Sequence, residues 1–320
     1  MNTQRWIARR EANWQRLDVL LQQVEKKGLK SLQASEIREL AGLYRSVAAD
    51  LARARTQQVG NTLVQSLQVL TTRAYSQIYQ GSRRQEWEAV VEFYRWGFPA
   101  VVQQTSLYTA IATAMFLLGA LCAWWYGWHD PTFMSLIVPE RLITKVRDDH
   151  ELWMGSIVGI EPLASSNIMI NNIGVSFAAV GGGIVAGTYT AFLMVFNGLM
   201  IGAVATLVGE NNLAYPFWAF VFPHGALELP AIFLAGGAGF LLARALLFPG
   251  KYKRADALKF YGSQAVQLIY GIIPMLIIAG TIEGFVSPNP TIPPILKYLT
   301  GLGLFFLLVL YCRRQENTQK

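Results

Sequence analysis

Residues 217–248, FWAFVFPHGALELPAIFLAGGAGFLLARALLF, form an apolar run interrupted by Pro-His-Gly, with a carboxylate four residues past the histidine. As one straight helix they would measure ~48 Å at ~1.5 Å per residue, against a hydrocarbon core of ~30 Å. Pro223 and Pro230 each remove a backbone donor, and Gly225 relaxes the chain between them. The sequence therefore predicts a helix break here, with a short outer piece over 215–222 and a true span starting near 226. Past the break Ala231, Ala235, Gly239 and Ala243 recur every fourth residue, a smooth stripe on which another helix can pack backbone to backbone.

The rest of the chain supplies companions for such a span. With 53% hydrophobic and 15% charged residues, it has the profile of a polytopic membrane protein carrying a soluble appendage. Apolar runs predict spans at 101–126, 167–187, 189–208, 226 to just before 251, 265–286 and 295–311. The loop 127–166 holds three Lys or Arg against six Asp or Glu, whereas the loop after the fourth span carries Lys251, Lys253, Arg254 and Lys259, and the sixth span ends in Arg313 and Arg314. Six spans starting inside finish inside, and that count places the acidic loop outside and both basic segments in the cytosol, in accord with the positive-inside rule. The expectation is an all-α, multi-pass cell-membrane protein: a cytosolic basic helical domain over 1–99, a six-helix transmembrane domain over 100–312, an extracytoplasmic loop over 127–166, and a cytosolic tail over 313–320.

Residues 1–99 carry 15 Lys and Arg against 9 Asp and Glu, a net +6. Anionic lipid headgroups account for that charge without a nucleic-acid partner, and none is expected. Gly28, Gly60 and Gly81 divide the segment into four helical pieces, with Ser35 as the expected cap of the second. The aromatics Trp87, Phe93, Tyr94 and Trp96, just before the first span, fit either the headgroup level or packing against the earlier helices. Small residues four apart recur at Gly183 and Gly187, Gly198 and Gly202, and Gly280 and Gly284, predicting a tight bundle of spans two to five with spans one and six at the periphery.

Several of these elements together, SSNIMINNIGVSF, GTYTAFLMVFNGLMIGA, PHGALELPAIFLAGGAGFLLARALLFPG and IEGFVSP, resemble the stage II sporulation protein M family of bacterial and archaeal membrane proteins. ELAGLYRSVAADLARAR and RAYSQIY resemble its longer members, so the likeness covers most of the chain. It implies architecture more than chemistry. The namesake acts in sporulation engulfment, similar to a membrane scaffold that holds peptidoglycan-degrading enzymes, and longer members occur near genes for MoxR-type ATPases. The basic appendage departs from the sporulation type, so envelope organisation is the safer transfer. Expected partners are the lipid bilayer, envelope or peptidoglycan-remodelling proteins, a MoxR-type ATPase and a second copy of the chain.

The intramembrane polar residues are Asn171, Asn172, Asn197, His224, Glu228 and Glu283. On a continuous helix His224 and Glu228 share a face. Glu228 falls near mid-membrane, with His224, the paired asparagines and Glu283 in the outer half, and His224 or an asparagine is expected to hydrogen-bond it. Such a cluster can be a plug that fixes packing, or a proton or ion relay. The two cysteines, Cys122 and Cys312, lie near opposite faces, and His129 and His150 lie in the outer loop without HExxH, so no disulfide, metal site or cofactor is expected. Ser176, Thr188 and Ser263 have no base at motif spacing, and no enzyme is expected. A scaffold is the first reading and a small-solute or ion transporter the second.

Overall fold

The computed structural model describes residues 3–80 and 83–315, so Gly81 and the end of the tail, 316–320, lie outside the described residues. All regular elements among the described residues are helical, and the chain divides into two compact units, Met1–Phe93 and Tyr94–Lys320.

The first unit contains α1 (Thr3–Lys27), α2 (Ala34–Thr56), α3 (Asn61–Tyr75) and α4 (Arg83–Glu92). Leu17, Leu20, Leu21 and Val24 of α1 close on Leu40, Val47 and Ala54 of α2 and on Leu67, Leu70 and Ala74 of α3. Apart from the adjacent Leu20 and Leu21, neighbours in each set sit three, four or seven apart, which puts one apolar face per helix into a shared core. Asp50 is buried, and both of its oxygens accept from Arg10 Nε, at 3.0 and 2.9 Å, while Trp14 Nε1 donates to Oδ2 at 3.0 Å. On α3, Arg73 ties back to α1 through Asp18 at 2.6 Å and Glu25 at 2.9 Å. The cap of α2 is Gln33, not Ser35. Glu36 reaches back to the Gln33 amide at 2.9 Å and the Gln33 side chain takes the Glu36 amide, a reciprocal box that satisfies two terminal donors together. Trp87 is exposed, so it does not pack into this core.

The second unit opens with α5 (Phe98–Gln104) and contains the six helices long and apolar enough to cross a membrane: α6 (Ser106–His129), α9 (Glu161–Gly181, continued by a 3-10 turn to Val185), α10 (Thr188–Glu210), α11 (Ala214–Leu247), α12 (Arg254–Phe285) and α13 (Pro294–Cys312). Between α9 and α10 the reversal is made at Ala186 and Gly187, both left-handed, with φ of 58° and 77°. α11 is the hub. It packs against α6, α9, α10, α12 and α13, and 67% of its apolar window is buried, against 6% for α13.

The expected helix break is absent. α11 runs unbroken for 34 residues through Pro223, Gly225 and Pro230. Each proline forfeits one backbone bond, but the intact neighbouring bonds and the enclosing helices hold the rod together. Its length, ~51 Å at ~1.5 Å per residue, exceeds the hydrocarbon core by ~20 Å. At its amino-terminal end Phe217 and Phe220 are covered by protein.

That cover comes from the loop after α6. Rather than a plain polar connection, it folds into α7 (Pro131–Ser135), α8 (Glu140–Arg147) and a 3-10 turn at Trp153–Ile157. Met134, Val138, Ile143, Val146 and Met154 bury against Ala203, Val204, Leu207 and Val208 of α10 and against Phe217 and Phe220 of α11. Asp130 caps α7, accepting from the Thr132 amide at 2.9 Å and its hydroxyl at 2.6 Å, and these bonds hold its carboxyl below the ordinary aspartate range.

Span one, expected at the periphery, has 22% of its apolar window buried, less than any span but α13, yet its covered side packs tightly on α10. A Cβ added at Gly198 or Gly202 of α10 would meet the carbonyl oxygens of Phe116 and Ala120 on α6, and one added at Gly119 of α6 would meet that of Val195. The two helices touch backbone to backbone, through small residues on both sides. Gly280 and Gly284 of α12 face Met169 and Ser165 of α9, and Ser165 Oγ donates to the Gly280 carbonyl at 2.9 Å. Gly183 meets the Gly239 carbonyl, and Gly187 approaches Ala243; Ala231 and Ala235 of the same stripe are fully buried.

Candidate functional site

α11 carries His224 one turn before Glu228, and its continuity keeps both on one face, towards α12. From α12, Glu283 completes a group in which one ligand-capable atom from each residue lies within 4.8 Å of the other two. His224 Nε2 faces Glu283 Oε2 at 3.8 Å, and Nδ1 lies 3.1 Å from Ser287 Oγ. The Ser287 carbonyl in turn accepts from Lys297 Nζ of α13 at 2.6 Å, and both residues are buried. A polar chain therefore links the amino-terminal half of α11, the carboxyl-terminal end of α12 and the amino-terminal end of α13.

The expected hydrogen bond to Glu228 is not made. Both His224 nitrogens are already turned to α12 and to the turn that follows it, and Oε2 of Glu228 is buried with no hydrogen-bond partner. Asn197 lines the same cavity as Glu228, but its amide donates to the Leu193 carbonyl one turn back at 2.8 Å. Asn171 and Asn172 do not join the group; the amide of the first donates to the second at 3.2 Å, at an exposed position. Gly225 faces the cavity and is not a close-packing position, since an added Cβ would touch only the Val221 side chain, at 3.5 Å.

This cavity measures about 480 Å³ and lies between α6, α10, α11 and the folded segment 131–157 after α6, termed the cap. Its wall is mostly apolar, with Phe116, Val204, Phe220 and Ile232 among the lining, and its polar groups are Asn197, His224, Glu228 and Glu283. Trp153 and Met154 of the cap also line it. The arrangement offers two carboxylates and an imidazole to a small polar or charged guest in otherwise apolar surroundings. Of the other candidates, His129 is stacked on Trp125 at 4.3 Å, and the Thr188 hydroxyl donates to the Val185 carbonyl at 2.9 Å.

Sequence reasoning missed Ser287 and Lys297. The signals were present: Ser287 follows Glu283 by one helical turn, and Lys297 is the single charge in the last apolar run.

Six apolar helices around an enclosed polar cluster define an integral membrane protein of the α-helical, multi-pass kind. The profile of Stage II sporulation protein M matches residues 112–288, more than half of the chain, and the chain belongs to that family. Residues 4–80 match a domain of unknown function, DUF8413, so the first compact unit carries its own signature. Two uncharacterized proteins of Methanocaldococcus jannaschii are similar, each at 26% identity, over 32% and 38% of this chain. The matched part spans 48% of the first relative and 70% of the second. No solved structure matches the chain.

Proposed function

We propose that the protein is a membrane scaffold or assembly factor of the cell envelope, with both termini in the cytosol. One observation carries the reading: α11, the element with the strongest chemical character, is an unbroken and largely enclosed rod. A transport site of the discontinuous-helix type needs unwound backbone at mid-membrane, and α11 supplies none. The two parts outside the spans suit docking. The first unit has a core of its own, and the cap presents Asp148, Asp149 and Glu151 at exposed positions. By loop charge the first belongs to the cytosol, where a MoxR-type ATPase would meet it. The cap belongs to the envelope side, where peptidoglycan-remodelling proteins would meet it.

The cavity that reaches His224, Glu228 and Glu283 favours a second reading, a small-solute or ion transporter. Reconstitution separates the two. A scaffold gives liposomes no solute flux above protein-free controls, while cross-linking in native membranes yields a defined envelope or ATPase partner that is lost when the first unit or the cap is replaced. Flux that disappears in Glu228→Gln sinks the scaffold in favour of transport.

A further inference from the structure

We propose that His224, Glu228 and Glu283 form a binding site for one divalent transition-metal ion of the Zn²⁺ or Mn²⁺ class, a role separate from the scaffold reading. The geometry is close to what an ion requires. Ligands bonded at ~2.1 Å with tetrahedral angles stand ~3.4 Å apart, and the three candidate atoms lie within 4.8 Å, with the His224 to Glu283 pair at 3.8 Å. A bound ion would have to draw these atoms in from within 4.8 Å to ~3.4 Å of one another.

The chemistry agrees on four counts. Oε2 of Glu228 is buried without a hydrogen-bond partner, which is costly for a protein to maintain unless something binds there. Two carboxylates in an apolar surround carry a charge that a divalent cation cancels, and the imidazole favours a transition metal over Mg²⁺ or Ca²⁺. The Ser287 hydroxyl lies against His224 Nδ1. A donated N–H there leaves the Nε2 lone pair facing the carboxylates, the outer-shell arrangement usual for metal-bound histidine. Finally, the cavity of about 480 Å³ gives the ion a path to the three side chains and leaves room for water as a further ligand. Lys297, the nearby cation, has its Nζ on the Ser287 carbonyl at 2.6 Å and so holds the residue that contacts His224 instead of occupying the site. Such an ion would clamp α11 to α12, because two ligands come from one helix and one from the other.

The test uses the full chain in detergent, stripped with chelator and titrated with Co²⁺, whose visible d–d bands report nitrogen and oxygen ligation. Bound metal is counted by mass spectrometry after Zn²⁺ loading. His129→Gln and His150→Gln are placed in the background so that the outer histidines cannot contribute. The expected result is one ion per chain and a thermal midpoint that rises with Zn²⁺. Glu228→Gln and Glu283→Gln, which keep side-chain size, should each weaken binding by ~100-fold or more, since outer-shell changes alone cost ~10–100-fold. Helicity and gel-filtration behaviour identify folded variants, and either glutamine variant suffices. A folded wild-type chain that takes up no ion overturns the proposal, as does a folded variant that binds like the wild type. Flux and partner capture are read separately, so failure here leaves the scaffold reading where it stood.

Discussion

At Glu228 the structure reverses an expectation about stability. Had the carboxyl been hydrogen-bonded by His224 or an asparagine, replacing it with leucine would have stranded those partners. Its Oε2 has no partner, so leucine strands nothing and removes a buried polar atom whose desolvation is uncompensated. His224 is the opposite case, because Ser287 and Glu283 both face it. In chelator-treated protein, Glu228→Leu should leave the thermal midpoint unchanged or raise it, and His224→Leu should lower stability by ~1–3 kcal/mol, the cost of leaving buried groups unsatisfied. Thermal unfolding in one detergent at fixed pH compares them. A large loss in Glu228→Leu with none in His224→Leu contradicts the assignment of partners. Spacing in the sequence disclosed the His224 and Glu228 pair, but not which way the histidine nitrogens turn. That depends on Ser287, in the turn just past the end of α12.

Among the elements, the six apolar runs were legible because a bilayer demands about twenty apolar residues per crossing, a signal that survives any packing. Which helices touch was less legible. The glycine spacing in α10 marked a close-approach face without naming its partner, and the answering residues on α6, Phe116, Gly119 and Ala120, contain no pair of small residues four apart. α12 begins at Arg254, eleven residues before the expected start of its span, because its first turns are amphipathic and not uniformly apolar. The cap was hidden by its charge: six acidic residues dominate the composition of the loop, while Ile143 and Val146, three apart, supply the buried face. The α6 and α10 contact gives a sharp prediction. Gly198→Ala and Gly202→Ala must push backbones apart, at ~1–3 kcal/mol each, as for overpacked cores. Gly174→Ala, with nothing within 4 Å of its new Cβ, should be neutral or slightly stabilising through helix propensity. Equal behaviour of the three in thermal unfolding would mean that α6 does not lie where these contacts put it.

For the whole molecule, fold and charge make complementary statements about sidedness. The fold fixes which parts are opposite: the cap closes over the amino-terminal end of α11 through Phe217 and Phe220, and the loop with Lys251 and Lys253 leaves its carboxyl-terminal end, ~51 Å away at ~1.5 Å per residue. No membrane-spanning rod of that length can keep both ends on one side. Which end faces the cytosol is a separate matter, and loop charge supplies the expectation: Lys and Arg resist translocation, so the basic loop should stay inside and the acidic cap should lie outside. Asp148 and Lys253 are both exposed, so a cysteine at either is open to solvent on its own side. Cys122 is exposed and Cys312 half-buried, and both are first replaced by serine. In intact cells, Asp148→Cys should react with a membrane-impermeant thiol reagent while Lys253→Cys is protected, and both should react once the membrane is permeabilised. The reverse pattern would keep the fold and invert the protein in the bilayer. Labelling of both sites in intact cells would instead break the opposition of the two ends of α11, on which the six-span arrangement depends.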